Sequence, residues 1–258
     1  SEIQVFATNR HATSTPAVVR VAWAGAQPGA AAASAQAGGF QIQPKLYILA
    51  VGVAQYQHAD ITKLGLPAKD AKDFAAALQA QQGKLYREVE VKLLTDAQAT
   101  ADAVVDGLDW LQKQVTQHDV GMVFLAGHGL NDATQGYTYL PVNADPERVR
   151  RTGVPMDEFR KTLAALPGKA VFFLDTCHSG NVLGGSGKVS RSVLTNDVTG
   201  VINELASAQN GVVVFSSSTG RQLSYEDAAW GNGAFTKAVV EGLGGKANYQ
   251  NTGRITHK

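Results

Sequence analysis

The chain has 258 residues, enough to bury a substantial core without covalent help, and its single cysteine rules out an internal disulfide. Lys and Arg number 23 against 22 Asp and Glu, a net charge of +1, so nothing in the charge balance points to nucleic acid or another polyanion as a partner. No apolar run approaches the roughly 18 to 20 residues of a membrane helix. The alanine-rich stretch 22–39 is broken by Pro28, glycines and glutamines. The reading is of a soluble protein with no membrane partner. Its sequence carries no readable address, and a cytoplasmic location is the simplest expectation.

In chain order, EIQVFATNRHATSTPAVVRVAW supplies two strand-like runs around a turn-rich middle. Residues 1–23 are therefore expected to form a β-hairpin or the end of an upstream β domain. Residues 24–44, beginning AGAQPGAAAASAQAGG, have too little apolar bulk to repay ordering and read as a flexible linker. From 45 to 258 the pattern alternates. LYILAVGVA (46–54) is a continuous apolar run suited to a strand covered on both faces. PAKDAKDFAAALQAQ follows as a helix with Pro67 in its first turn, and EVEVKLL (88–94) as a strand. Val104, Leu108, Leu111 and Val115 recur at helical spacing after Thr100, a suitable cap.

VGMVFLA (120–126) is the next strand, YTYLP (137–141) a short hairpin, and MDEFRKTLAAL a helix after Pro155. KAVFFLD (169–175) and GVVVFSS (211–217) are strands, with the glycine-rich GGSGKVSRS (184–192) and a short helix near 198–207 between them. AFTKAVVEGL (234–243) is the last helix. Strands alternating with helices predict an α/β fold, a mostly parallel sheet with helices on both faces, plus the N-terminal β segment. Chemistry in such sheets collects beyond the carboxyl ends of the strands.

Two chemically equipped sequences fall there. AGHG follows one apolar run and DTCHSG ends another, which places His128 and Cys177 on small-residue loops at two strand ends. A thiol reacts as thiolate, and a nearby imidazole is the common means of making one, so the pair is a candidate nucleophile and base. His178, beside the cysteine, competes for the role of base. Consecutive loop residues usually diverge, which favours His128.

The succession GVAQY, LGLPAKDAKDF, FLAGHG, FLDTCHSG, SSSTGRQLSYE and GAFTKAVVEGL, over roughly residues 45–245, resembles the caspase-like cysteine peptidases and, within them, the bacterial metacaspase or orthocaspase branch. His128 stands 49 residues before Cys177, close to the spacing of about 50 in caspases. The resemblance implies a cysteine endopeptidase with His128 as base and acid and Cys177 as nucleophile. The backbone N–H groups of Gly129 and Cys177 would form the oxyanion hole. It also implies cleavage after Arg or Lys of protein or peptide substrates. Asp70 and Asp175 would be the pocket carboxylates, since a guanidinium is best held in fork geometry by carboxylates. The family needs no metal or organic cofactor for bond cleavage, although many metacaspases are activated by calcium, and metacaspases resemble monomers more than dimeric caspases.

Three positions depart from the branch: Ala126 where serine is frequent, Ala68 where cysteine is, and Lys69 where asparagine is. They leave the choice between Arg and Lys open. Other readings also stand side by side. The chain could cleave after Asp, with Arg221 the nearby cation, or serve as a catalytically silent caspase-like interaction module. Asp175 could cap backbone at the strand end, and Asp70 could be an exposed helix charge. Ser216 and Ser217 could offer backbone to an extended substrate. Lys188 and Arg191 are candidate self-cleavage sites for a basic specificity. Asp102, Asp106 and Asp109 share a helix face that reads as solvated sooner than as a calcium site, which needs six to eight converging oxygens. His11, His58, His118 and His257 have no partner pattern and read as surface residues.

Overall fold

The computed structural model describes residues 43–132, 135–177, 211–217 and 231–248, with Cys177 and the segments 2–5, 17–20 and 226–227 described by backbone alone. The chain divides into two units, Ser1–Gln41 and Ile42–Lys258. In the first, β1 (Glu2–Val5) pairs antiparallel with β2 (Ala17–Arg20), Glu2 opposite Arg20 and Val5 opposite Ala17. Nearly all of the expected linker lies outside the described residues.

The second unit begins with β3 (Lys45–Gly52), α1 (Pro67–Gln79), β4 (Glu88–Thr95) and α2 (Ala101–Gln114). It continues through β5 (Val120–Asp132), β6 (Gly136–Tyr139), α3 (Val149–Thr152), β7 (Val154–Pro155), α4 (Met156–Ala165) and β8 (Lys169–Cys177). After β9 (Val213–Ser216) come β10 (Glu226–Asp227), β11 (Asn232–Gly233) and α5 (Ala234–Glu241). Five strands run parallel in the order β4, β3, β5, β8, β9. Two more, β6 and β7, extend antiparallel from the far half of β5. The expected α/β fold with a mostly parallel sheet is thus observed, and no helix among the described residues is long and apolar enough to cross a membrane.

Alternation along the strands builds two cores. Leu46, Ile48, Ala50, Met122 and Phe124 face α1, where Ala71, Phe74, Ala75 and Leu78 recur at helical spacing. Phe74 stacks on Phe124 at 4.5 Å and meets Phe173 edge-on at 4.8 Å, contacts worth about 0.5–1.5 kcal/mol each beyond burial. Tyr47, Leu49, Val51, Val123, Leu125 and Phe172 face the other way, onto Leu108 and Leu111 of α2 and Phe159 and Leu163 of α4. Local chemistry starts two of the helices where the sequence predicts. Pro67 opens α1, and the Thr100 side chain accepts the N–H of Ala103 at the start of α2.

The largest departure from expectation concerns β5. It does not stop at Ala126 but runs to Asp132, so His128 lies inside a strand and not on a loop. The reason is tertiary: past the end of β3, the backbone of Gly129 to Asp132 finds new partners in β6. YTYLP is accordingly not a hairpin of its own but the returning arm of one whose first arm is β5. Strand β8 likewise continues past Asp175 to end at Cys177.

Candidate active site

The paired register of β5 and β8 sets His128 directly opposite Cys177, so two residues 49 apart in sequence become neighbours on adjacent strands at the carboxyl end of the sheet. His128 is 1% exposed. Its backbone N–H donates to the Tyr56 hydroxyl at 2.8 Å, and its ring lies against that of Tyr56, centroids 5.2 Å apart and planes tilted by 31°.

The imidazole is held in one tautomer. Nε2 is 2.8 Å from the Thr62 carbonyl, which only accepts, so Nε2 carries the proton and Nδ1 the lone pair. That Nδ1 is buried and has no hydrogen-bond partner among the described residues. Burial lowers the His128 pKa from its ordinary value, and the bond to Thr62 offsets only part of the shift. The ring is therefore predominantly neutral at pH 7, with a buried basic nitrogen.

Both glycines of GHG have a physical reason. Gly127 has φ of +141°, and a side chain there would come within 2.9 Å of the Tyr56 hydroxyl and 3.3 Å of the Tyr139 hydroxyl. At Gly129 a side chain would collide with Tyr137. The Tyr139 hydroxyl donates to the Ala126 carbonyl at 3.1 Å, and that of Tyr137 to Thr176 Oγ1 at 2.6 Å. Full burial pushes the Tyr139 hydroxyl pKa well above its ordinary value, so it stays a donor.

Strand alternation also orients the amides. The N–H and C=O of His128 both face the β3 and β6 side, toward Tyr56 and Leu140, so the backbone groups of Gly129 turn to β8. Leu174 presents its carbonyl to Ser217, and three residues on, the backbone groups of Cys177 turn to β5. The amides of Gly129 and Cys177 thus face the same seam.

Asp70 and Asp175 come together. Asp70 is 2% exposed on the buried face of α1, which overturns the exposed-charge reading; its position one turn before Phe74 turns it inward. Its carboxylate accepts from Asn232 Nδ2 at 2.8 Å and from the Gly233 N–H at 3.2 and 3.3 Å. Asp175, 7% exposed, accepts from Thr236 Oγ1 at 2.8 Å. A Cβ built on Gly233 would lie 3.2 Å from Asp70 Oδ2 and 3.5 Å from Asp175 Oδ2, so both carboxylates converge on one point. Asn232 Nδ2 also donates to Asp73 at 2.7 Å. Burial alone would raise the Asp73 carboxyl, but the donors Lys69 and Asn232 outweigh it and hold it below its ordinary value.

Ser216 is half-buried on β9, paired with Leu174. His58 is half-buried and His118 exposed, as are Asp102, Asp106 and Asp109 on α2. No group of three or more His, Cys, Asp or Glu side chains among the described residues could hold a metal ion. His11, His178, Lys188, Arg191, Arg221, His257 and the helix expected near 198–207 lie outside the described residues. Sequence reasoning assigned no role to Tyr56, Thr62, Tyr137, Thr176, Asn232 or Thr236. Thr62 acts through its carbonyl, which no residue type advertises.

A three-layer α/β unit with a buried histidine and a cysteine side by side at the carboxyl ends of its central strands has the frame of a thiol hydrolase. The caspase domain family matches residues 45–257, and the chain belongs to that family of peptidases, whose substrates are proteins. No curated protein sequence matches the chain. Among solved structures, a Geobacter sulfurreducens protein determined as a structural-genomics target is 21% identical with a TM-score of 0.53, covering 77% of this chain and 81% of that one. Caspase-1 of Spodoptera frugiperda is 12% identical with a TM-score of 0.53, covering 83% of this chain and 72% of that one. Both share the fold.

Proposed function

We propose that the chain is a cysteine endopeptidase of the metacaspase or orthocaspase branch that cleaves after Arg or Lys, using His128 and Cys177. The observation that carries the reading is the β5–β8 register, which pairs Cys177 with a histidine whose buried Nδ1 has no hydrogen-bond partner among the described residues. Nδ1 takes the thiol proton as sulfur bonds to the peptide carbonyl carbon. The resulting imidazolium has two N–H groups, one already held by Thr62. Collapse of the tetrahedral adduct expels the amine, which receives the proton from His128, and leaves a thioester. Water, giving a proton to the same nitrogen, then releases the acid and restores the thiol. The amides of Gly129 and Cys177, which face the seam between β5 and β8, stabilise the oxyanion.

The converging carboxylates of Asp70 and Asp175 support a basic specificity, because an aspartate side chain beside two buried acidic groups would be repelled. Ser216, at the end of an outer strand, offers backbone to an extended substrate. Lys188 and Arg191 fit the same specificity and are proposed self-cleavage sites. Matched fluorogenic peptides ending in Arg, Lys or Asp, assayed with and without calcium, test the reading. Turnover after Arg or Lys that vanishes in Cys177→Ala is expected. Turnover after Asp alone would remove the pocket assignment, and turnover that survives in Cys177→Ala would remove the nucleophile.

A further inference from the structure

The second glycine of GHG marks a crossing point. Tyr137 belongs to β6, on the β3 side of β5, yet its hydroxyl reaches Thr176 of β8, on the opposite side. Its side chain therefore passes over β5 at Gly129, where an added Cβ would strike the phenol. The bond at its end is buried, with Tyr137 and Thr176 each 3% exposed. The phenol thus touches the residue after His128 and bonds the residue before Cys177, the two backbone positions that flank the seam.

We infer that Tyr137 is a positioning residue for this active site, a buried strut that sets the spacing of the β5 and β8 ends and hence of the amides of Gly129 and Cys177. This rests on the His128 and Cys177 reading above. Thr176 accepts the strut through its side chain, which leaves its backbone free for the ladder. The device acts through geometry and touches no substrate atom. Oxyanion donors work only when they stand within a few tenths of an ångström of where charge develops, so a slackened seam lowers the rate of acylation without weakening substrate binding.

The test is a double-mutant cycle on an Arg or Lys peptide, with melting temperatures measured alongside. Tyr137→Phe keeps the ring over Gly129 and removes the bond, and Thr176→Val removes it from the other end. Each is expected to lower kcat about tenfold with KM changed less than about twofold. The double variant should lose no more than either single one, because all three delete the same bond. Thr176→Ser, which restores a hydroxyl, should recover most of the rate. Wild-type kcat in Tyr137→Phe, additive losses, or no recovery in Thr176→Ser would each overturn the strut. A wild type without Cys177-dependent turnover would instead sink the dyad reading and the strut with it.

Discussion

The buried polar residues His128 of β5 and Asp70 and Asp175 of α1 and β8 are treated by the fold in opposite ways. His128 is offered a single carbonyl, which fixes one nitrogen and leaves the other dry and unpartnered among the described residues. Asp70 and Asp175 are met by donors: Asn232, the Gly233 amide and Thr236. The contrast fits the proposed roles, in which a base needs an available lone pair and a cation-binding carboxylate needs its charge held in place before the ligand arrives. His128 comes from β5, Asp175 from β8 and Asp70 from α1, and the difference lies in what the neighbouring elements contribute. The histidine is served by a carbonyl and by tyrosines, the carboxylates by the start of α5.

Breaking the histidine side should have the larger effect. His128→Ala is expected to lower kcat/KM by at least about a thousandfold while the protein remains folded, as judged by circular dichroism. On the carboxylate side, Asp175→Asn should lower kcat/KM for Arg peptides about a hundredfold, mostly through KM, and leave a thiol-reactive probe free to label Cys177. Asp70→Ala should do the same and also lower the melting temperature. It strips the Gly233 N–H and the Asn232 amide of a buried acceptor, a loss of about 1–3 kcal/mol.

Gly233→Ala sharpens the contrast further. The backbone there, φ −58° and ψ 146°, is one that alanine adopts freely, so a methyl group adds no backbone strain and falls between the two carboxylates. KM for Arg peptides should rise about tenfold with kcat little changed, as Asp70 shifts by a few tenths of an ångström to admit the methyl group. The smallest effect concerns pH. Because burial lowers the His128 pKa, the folded state binds that proton only below the unfolded value of about 6.5. Stability contributed by the neutral ring is complete above that value and declines as pH falls through the window beneath it. The acid limb of kcat/KM should accordingly have its midpoint below about 6.5, and a midpoint at or above it would contradict the dry environment of the ring.

Much of this was legible in the chain. The alternation of apolar runs and helical repeats from Lys45 onward gives the layers, Pro67 and Thr100 give two helix starts, and AGHG with DTCHSG gives the two residues that the ladder sets opposite each other. The failures have a common cause. GHG reads as a loop because small residues follow an apolar run, yet it is strand, since β6 returns to satisfy its backbone. Asp70 reads equally well as an exposed helix charge or a pocket residue, because helical spacing says which face a residue is on but not what packs against that face.

What the sequence determined by itself is therefore local and periodic: which segments are strands or helices, which side of each is apolar, and which residue types could do thiol chemistry. What the tertiary structure decided is pairing across distance. The register that sets His128 beside Cys177 comes from the strand ladder, the tautomer of the imidazole from the Thr62 carbonyl, and the convergence of Asp70 and Asp175 from the docking of β11 and α5. Each depends on a backbone group or a close approach between segments far apart in the chain. Such contacts leave little trace in residue identity, because every residue carries the same amide and carbonyl.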